Sequence, residues 1–258
     1  MTDAPRVVDY DRIADRYDRR YELHAYSGVL ETLQNFLTPT VAIAADVGCG
    51  TGHWLRAVAG QASTMIGLEP SNAMLERARV NAPDARLVRG RAEALPWKDA
   101  SIDRIFCVNA LHHFSDRLGF FAEARRVLRP GGALMSIGKD PHAGRDEWWV
   151  YDFFEGTQAL DEARFAPVRI LRGELALAGF AWAESFEADR FETVRPASEL
   201  FAEGIIDRAF TSQLSVLSDA EFDRGVKRIT DAQAQRAADG ADLHLITDFR
   251  LFATIGRL

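Results

Sequence analysis

An acidic residue followed by closely spaced glycines is the most unusual feature of the sequence. In the stretch AADVGCGTG, Asp46 precedes Gly48, Gly50 and Gly52 directly after a short apolar run. A glycine-rich turn after a buried strand typically holds a nucleotide, because glycine lets the backbone approach a ligand closely. A carboxylate just ahead of such a turn would repel a pyrophosphate and attract a cation. The pattern therefore favours a nucleotide ligand that carries positive charge.

A second acidic residue ends the next apolar run. Glu69 stands in IGLEPS, where a carboxylate can accept hydrogen bonds from both hydroxyls of a ribose. A nicotinamide dinucleotide needs the same contact, so Glu69 alone does not identify the ligand, and a solvent-facing acid at a helix start is the alternative. S-adenosylmethionine has a ribose, an ammonium group and a sulfonium but no phosphate. Its positive charge therefore suits Asp46, and its ribose suits Glu69.

Histidines and aromatic residues are the candidates for contact with a substrate. His112 and His113 follow the fourth apolar run, where a histidine could act as a general base or simply pack at a helix start. His142, in KDPHAG, is either a substrate contact or an exposed loop residue. The aromatic stretch after it is either core or the wall of a pocket for an apolar or aromatic small molecule. Its candidate substrate contacts are Trp148, Trp149 and Tyr151.

The elements that must position these residues alternate between strands and helices. Apolar runs predict strands at residues 41–47, 63–69, 85–90, 102–110, 133–139, 181–194 and 243–256. Strand–helix alternation implies parallel strands joined by right-handed crossovers. The predicted fold class is α/β, with a doubly wound, mostly parallel, seven-stranded sheet. Ligands of such a sheet bind at the carboxyl ends of its strands.

Composition limits the function classes further. The chain has 258 residues and a net charge of −7, which disfavours a nucleic-acid partner. Two cysteines make no disulfide framework, and no cysteine–histidine cluster has the spacing of a metal site, so no metal is expected. No apolar stretch is long enough for a membrane span or a signal core. We expect a soluble cytoplasmic protein.

Five segments in a fixed order carry a family resemblance. The segments are ADVGCGTG, GLEPSNAML, AEALPW, NALHHF and RVLRPGG. Together they resemble the class I S-adenosylmethionine-dependent methyltransferases, in particular the branch with the ubiquinone/menaquinone-biosynthesis C-methyltransferases and many small-molecule methyltransferases. The resemblance covers roughly residues 8–139. It implies a Rossmann-like methyltransferase fold, S-adenosyl-L-methionine as cofactor, and methyl transfer to a small-molecule acceptor by in-line displacement.

The resemblance also implies roles for individual residues. The residues implied to bind the cofactor are Tyr10, Tyr17, Asp46, Gly48, Gly50, Glu69, Pro70, Ala92, Glu93, Asn109 and Leu111. Many relatives carry an acid just before the AE of the third segment, which accepts a hydrogen bond from the adenine amino group; this chain has Arg91. Since arginine has no acceptor, that contact must come from Glu93, a backbone carbonyl or water.

The same resemblance bears on domain organisation and on the acceptor. We expect one domain over residues 1–258, with a cofactor-binding core at about 40–140 plus the last two strands. Helical segments at about 1–38, 141–165 and 195–242 are predicted to form a lid. The last connection would be a hairpin in the family, and it is far longer than the usual two to five residues.

Several functional alternatives remain open from the sequence. The fourth strand leads into NALH, without the Asn/Asp-Pro-Pro-aromatic motif of amide or adenine amino-group methylation, so O- or C-methylation is favoured over N-methylation. An NAD(P)-dependent oxidoreductase and a non-catalytic S-adenosylmethionine-binding protein are the alternative functions. The chain is expected to be a monomer or a homodimer.

Overall fold

A central sheet organises the chain. The structure is a computed structural model that describes residues 18, 21 and 24–258. The strands are β1 Val41–Val47, β2 Ala62–Glu69, β3 Arg86–Arg89, β4 Ile102–Val108, β5 Leu128–Lys139, β6 Glu147–Trp148, β7 Trp182–Pro196 and β8 His244–Arg257. The α-helices are α1 Ser27–Phe36, α2 His53–Ala57, α3 Asn72–Asn81, α4 Arg117–Val127, α5 Trp149–Phe153, α6 Thr157–Arg164, α7 Val168–Leu177, α8 Ala197–Ala202, α9 Ser212–Ser215 and α10 Asp219–Ala238.

The predicted doubly wound sheet is confirmed, with one added strand. The order is β3-β2-β1-β4-β5-β8, and β7 pairs along the outer edge of β8. Strands β1 to β5 are parallel, whereas β8 is antiparallel to β5 and β7. The prediction counted seven strands. The eighth, β6, is a two-residue strand that pairs with β8 beyond the end of β5, and it is too short to show a period in sequence.

The central strands are buried on both faces, which is why they read as continuous apolar runs. In β4, Phe106 and Val108 join the core cluster that includes α1 and α2. Ile105 and Cys107, which point to the other face, join the cluster that includes α4 and α7. The sheet is therefore rigidly held, and the loops at its carboxyl edge start from fixed positions.

The start of β5 differs from the prediction. A strand was expected at 133–139, but β5 already begins at Leu128, ahead of the Pro-Gly-Gly stretch. The register between β4 and β5 shifts between Ile102 and Arg104, so this stretch is an irregular beginning of the strand rather than a separate turn. The first predicted helix and most of the 1–38 segment lie outside the described residues.

Residues 197–243, here called the capping segment, connect β7 to β8. The first half of β8 extends past the end of β5, whose last residue Lys139 pairs with Leu251. The capping segment therefore lies beyond the carboxyl ends of the strands. It packs on the aromatic stretch around α5 in a separate core cluster. That cluster contains Trp148, Trp149, Phe154, Leu200, Leu214, Leu217 and Ile229.

The packing of α10 on α5 can be tested with a pair of glycine substitutions. A methyl group added at Gly225 would collide with the ring of Phe154, which is 1% exposed and cannot move aside. We expect Gly225→Ala to destabilise the fold by about 1–3 kcal/mol through overpacking. The exposed Gly173 in α7 has no neighbouring atom within 4 Å, so Gly173→Ala should stabilise by about 0.5–1 kcal/mol. Urea unfolding measures both, and equal effects at the two sites would contradict the described packing.

Candidate active site

The glycine turn leaves the carboxyl end of β1 in a strained but well-bonded conformation. Gly48, Gly50 and Gly52 all have positive φ, at 78°, 52° and 80°. The amides of Gly48 and Cys49 both donate to the carbonyl of Leu68 at the end of β2, at 2.8 and 3.1 Å. A side chain at Gly48 would also collide with Ala110 after β4. The backbone angles therefore favour glycine at all three positions, and at Gly48 the neighbouring strand also leaves no room for a side chain.

Asp46 is the most unusual charge in the structure. Its carboxylate is 1% exposed, and neither oxygen has a hydrogen-bond partner among the residues that the structure describes. Burial raises the pKa of Asp46 well above its ordinary value, and the nearby negative charge of Glu69 raises it further. A buried carboxylate without a partner is costly to the folded state. The site is accordingly matched to a ligand group that donates hydrogen bonds or carries positive charge.

Glu69 ties the glycine turn to the next helix. One carboxylate oxygen accepts from the amide of Gly50 at 3.1 Å, and the other accepts from the amide of Ser71 at 3.0 Å. The Ser71 side chain in turn caps α3 by accepting from Met74, as its position in the sequence predicted. The carboxylate is thus fixed in place at the open end of the turn.

The segment after β3 is organised by Glu93. Its carboxylate accepts from the amide and hydroxyl of Ser115, both at 2.7 Å, and lies 3.5 Å from Arg91. Burial opposes ionisation of Glu93, but the hydrogen bonds from Ser115 and Asp116 outweigh it and lower its pKa. Ala92 is buried beside it, and Pro70 accepts a hydrogen bond from Arg89 across the neighbouring loop. Glu93 therefore holds together the two loops that flank this end of the sheet.

The N-terminal part of the chain reaches the glycine turn. Asp18 accepts hydrogen bonds from the Thr51 hydroxyl at 2.5 Å and from the Asn81 amide group at 3.1 Å. The Tyr21 ring stacks on His53 with centroids 3.5 Å apart. Tyr10 and Tyr17, predicted to close over the cofactor, lie outside the described residues. These contacts place Asp18 and Tyr21 beside the turn.

A cavity opens next to the turn, at the carboxyl ends of β4 and β5. Ala110 touches the turn, and its neighbour Asn109 lines the cavity with an unusual positive φ of 50°. A non-glycine residue with positive φ at a strand end is a frequent mark of a functional site. The lining residues are His24, Tyr26, Asn109, His112, His113, Lys139, Trp148, Phe165, Phe210, Thr211, Ser212, Gln213, Thr247, Phe249 and Leu251.

The comparisons with known proteins agree with this geometry. The model of a methyltransferase domain matches residues 45–136, which run from the end of β1 to Ser136 in β5 and include the glycine turn and Glu69. Residues 45–136 belong to the class I S-adenosylmethionine-dependent methyltransferases. The predicted family and cofactor are thereby confirmed for this domain. The narrower resemblance to the quinone-biosynthesis branch stays a prediction.

Individual relatives match only part of this chain. A 27-O-demethylrifamycin SV methyltransferase of Amycolatopsis mediterranei is 40% identical over 96 residues, which are 34% of this chain and 35% of that protein. The chain spans between about a quarter and a half of the length of the first curated relatives it matches.

Solved structures extend the similarity of fold to nearly the whole chain. The YcgJ protein of Bacillus subtilis has a TM-score of 0.60 at 20% identity, over 91% of this chain and all of that one. A phosphoethanolamine N-methyltransferase of Haemonchus contortus, in complex with S-adenosyl-L-methionine, has a TM-score of 0.58 at 17% identity, over 97% of this chain and 60% of that one. At these identities the fold alone is shared.

Several predicted site residues of the methyltransferase domain meet in the cavity. His112 and His113 lie in a short 3-10 turn after β4, with ring centroids 3.8 Å apart. The His112 ring also stacks on Phe165 at 3.9 Å. Leu111, in contrast, packs into the core cluster with α4 and α7. The two histidines and Asn109 therefore face the cavity, while Leu111 anchors the turn that carries them.

The predicted substrate residues were His142, Trp148, Trp149 and Tyr151, and three of the four do not line the cavity. His142 lies in the turn after β5, and its ring nitrogen is 2.9 Å from the carbonyl oxygen of Phe165. Trp149 is buried against Phe154 and Phe210 in the core of the capping segment. Tyr151 lies one layer behind the cavity wall, hydrogen-bonded to Lys139. Only Trp148 reaches the cavity, because α5 begins at residue 149 and turns the following side chains away.

The sequence analysis missed a buried lysine and the strand residues that surround it. Lys139 ends β5 and lines the cavity, 8% exposed, beside Phe249 and Thr247 from β8. One signal was available, since a charged residue at the carboxyl end of a buried parallel strand faces the ligand edge of the sheet. The residues 211–213 of the capping segment, which also line the cavity, gave no such signal.

Within the described part of the chain, no helix could cross a membrane.

The unpartnered carboxylate of Asp46 predicts a pH-dependent stability. A pKa raised in the folded state means that the folded protein loses stability as the pH rises from about 4, the unfolded value, through the folded pKa. Asp46→Asn removes that cost, so we expect it to stabilise the ligand-free protein by about 1–3 kcal/mol near pH 8 and hardly at all near pH 4. Thermal unfolding measures the difference. The exposed Asp84→Asn is the control, and a less stable Asp46→Asn protein at pH 8 would contradict the prediction.

Proposed function

We propose that this protein transfers a methyl group from S-adenosylmethionine to an oxygen or carbon atom of a small, largely aromatic or apolar acceptor. One observation carries the proposal. A buried carboxylate without a hydrogen-bond partner among the described residues, at Asp46, precedes a turn with three glycines, and this turn adjoins a cavity at the ends of β4 and β5. A donor site and an acceptor site thus share one edge of the sheet, as group transfer between two bound molecules requires.

The residues of the turn fit the cofactor. The Asp46 carboxylate suits the ammonium group of the methionine part, and Gly48 and Gly50 leave room for it. Glu69, at the carboxyl end of β2, is placed for the ribose hydroxyls. Pro70, Ala92 and Glu93 border the space left for the adenine. Because Glu93 is already engaged by Ser115, we propose that a backbone carbonyl or water takes the adenine amino group.

The cavity lining supports an oxygen-bearing acceptor rather than an amine. The described residues that line the cavity include one lysine and three histidines but no aspartate or glutamate. A cationic amine would meet no counter-charge there, and hydroxyl or enol oxygens would meet hydrogen-bond donors. Aromatic walls at Trp148, Phe165, Phe210 and Phe249 fit an apolar body.

The protein has little chemistry to supply beyond orientation. S-adenosylmethionine brings an activated methyl group when it is bound. Transfer to a hydroxyl forms an oxygen–carbon bond, breaks the sulfur–carbon bond and releases the hydroxyl proton. His112 and His113 are the proposed bases for that proton, since both line the cavity next to Asn109. The capping segment covers the same site and excludes water from it.

The two alternatives lack a matching observation. A nicotinamide dinucleotide would place its pyrophosphate at the turn, where the buried carboxylates of Asp46 and Glu69 would repel it. A protein that only binds the cofactor would not need a second cavity lined by histidines beside the turn. Methyl transfer uses both sites.

Loss of the ribose contact tests cofactor binding directly. Glu69→Ala removes two charge-assisted hydrogen bonds, so we expect it to weaken S-adenosylmethionine binding by on the order of 1.5–3 kcal/mol, roughly tenfold to 150-fold. Isothermal titration calorimetry measures the affinity. Glu76→Ala, at an exposed glutamate that pairs only with Arg79 in α3, is the matched control and should bind normally. Wild-type protein that binds NAD⁺ and not S-adenosylmethionine would sink the proposed function.

A matched pair of phenylalanines tests the capping segment. Phe210 lines the cavity, whereas Phe222 packs on Phe154, with ring centroids 5.5 Å apart, and does not line it. We expect Phe210→Ala to weaken binding of the model acceptor 2-naphthol about tenfold, because part of an apolar wall is lost. Phe222→Ala should leave it unchanged, and neither should alter S-adenosylmethionine affinity. Fluorescence titration of 2-naphthol into each variant, saturated with S-adenosylhomocysteine, measures the acceptor affinity. Equal losses in both variants would contradict the assigned acceptor site.

A further inference from the structure

The buried ammonium group of Lys139 is held in an unusual setting at the cavity wall. Its Nζ atom lies over three aromatic rings, 4.2 Å from the centroid of Trp148, 4.6 Å from Tyr151 and 4.5 Å from Phe249. Of these rings, Trp148 and Phe249 line the cavity together with the lysine. An ammonium in such a cage is stabilised by the ring faces, although it has lost its water.

A hydrogen-bond chain behind the cage fixes the orientation of the lysine. Tyr151 donates to Asp161 at 2.6 Å, so its oxygen accepts from Lys139 at 2.9 Å. Asp161 is fully buried and also accepts from Arg164 at 2.7 Å, and both of its oxygens lie within hydrogen-bond distance of Gln213 Nε2, at 3.0 and 2.8 Å. Arg164 forms the direct ion pair with Asp161, whereas Lys139 is linked to it through the Tyr151 hydroxyl. The chain therefore fixes the position of the lysine.

The remaining carboxylate near Lys139 is a weak partner. Asp146 lies 3.5 Å from Nζ, beyond ordinary hydrogen-bond length, and its nearer oxygen has no hydrogen bond among the described residues. An ammonium has three N–H donors, and only the bond to Tyr151 has good geometry. In the part of the chain that the structure describes, Lys139 thus keeps donor capacity that no protein acceptor uses.

We propose that Lys139 is the acceptor-recognition residue, and that its ammonium binds an acidic oxygen (a carboxylate, phenolate or enolate) on the small molecule that is methylated. The cavity supplies the rest of that recognition: aromatic walls for the body of the acceptor and no carboxylate among its described lining residues. Gln213 of the capping segment donates to Asp161, so this segment helps to fix the position of the lysine. This role rests on the proposed function of the same cavity.

The chemistry of the transfer agrees with such an anchor. A cation beside the acceptor keeps its acidic oxygen deprotonated and fixed in direction. Lys139 and the two histidines line the same cavity, so one group can hold the acidic oxygen while the reacting atom lies near the others. Lys139 is therefore a specificity-determining residue rather than a base.

Two probes of equal ring size test the proposal by binding alone. They are 2-naphthoate and 2-(aminomethyl)naphthalene, titrated by fluorescence at pH 7.5 into the protein saturated with S-adenosylhomocysteine. We expect wild-type protein to prefer the carboxylate by about tenfold or more. Lys139→Met should reduce that preference to about threefold or less, while Lys139→Arg should retain most of it. Lys227→Met, at an exposed lysine paired with Asp231 on α10, is the matched control and should behave as wild type.

A second variant keeps the test decisive if Lys139→Met does not fold. Asp146→Asn removes the weak counter-charge, so it should strengthen 2-naphthoate binding about threefold, whereas a purely structural role for Lys139 predicts no gain. A wild-type protein that prefers the ammonium probe, binds the two equally or binds neither overturns the proposal. So does an unchanged preference in a folded Lys139→Met protein. S-adenosylmethionine affinity is measured separately. If it is normal, only the role of Lys139 fails; if it is absent, the proposed function fails.

Discussion

The buried carboxylate of Asp46 is the constraint on which the rest of the site depends. A charge without water or a hydrogen-bond partner is tolerated only where the surrounding structure is rigid enough to hold it. Here β1 lies between β2 and β4 at the middle of the sheet, and the turn after it is bonded to Leu68. The amides of Gly48 and Cys49 donate to Leu68 and that of Gly50 donates to Glu69, so these donors of the turn are engaged elsewhere. A ligand that donates hydrogen bonds or carries positive charge would satisfy the Asp46 carboxylate.

The neighbouring loops follow from the same constraint. Glu69 adds a second negative charge beside Asp46, and the backbone amides of Gly50 and Ser71 donate hydrogen bonds to its carboxylate. These two bonds hold the carboxylate at the ends of β1 and β2, next to the glycine turn. Two acids at this edge suit a cationic nucleotide, which is the basis of the proposed function.

How much of this was predictable depends on whether a feature is local in the chain. Strands β1, β2 and β4, the turn and the Ser71 cap were predicted, because each rests on apolar runs and residue types within a few positions. The beginning of β5 was not, because it depends on a register shift against β4. Lys139 was missed for a related reason. Its unusual setting comes from the rings of Trp148, Tyr151 and Phe249, which surround its ammonium group. Phe249 is distant in sequence and lies beside Lys139 because β8 pairs with β5. Which side chains of the capping segment line the cavity could not be predicted, because that depends on the packing of short helices.

The two halves of the site have opposite electrostatic character, and the boundary between them explains the position of Asn109. The cofactor half, as proposed, is acidic, with Asp46 and Glu69 at the ends of β1 and β2. The acceptor half is basic, with Lys139 at the end of β5 and histidines after β4. If the halves were in contact, lysine and acid would pair and each would lose its preference for a ligand. The chain instead leaves β4 at Asn109 with a positive φ and an amide bonded to Ile137. At this departure Ala110 lies against the glycine turn, while Asn109 faces the cavity. Under the proposed function, the cationic methyl donor and the oxygen-bearing acceptor would each meet the opposite charge on its own side of this strand end.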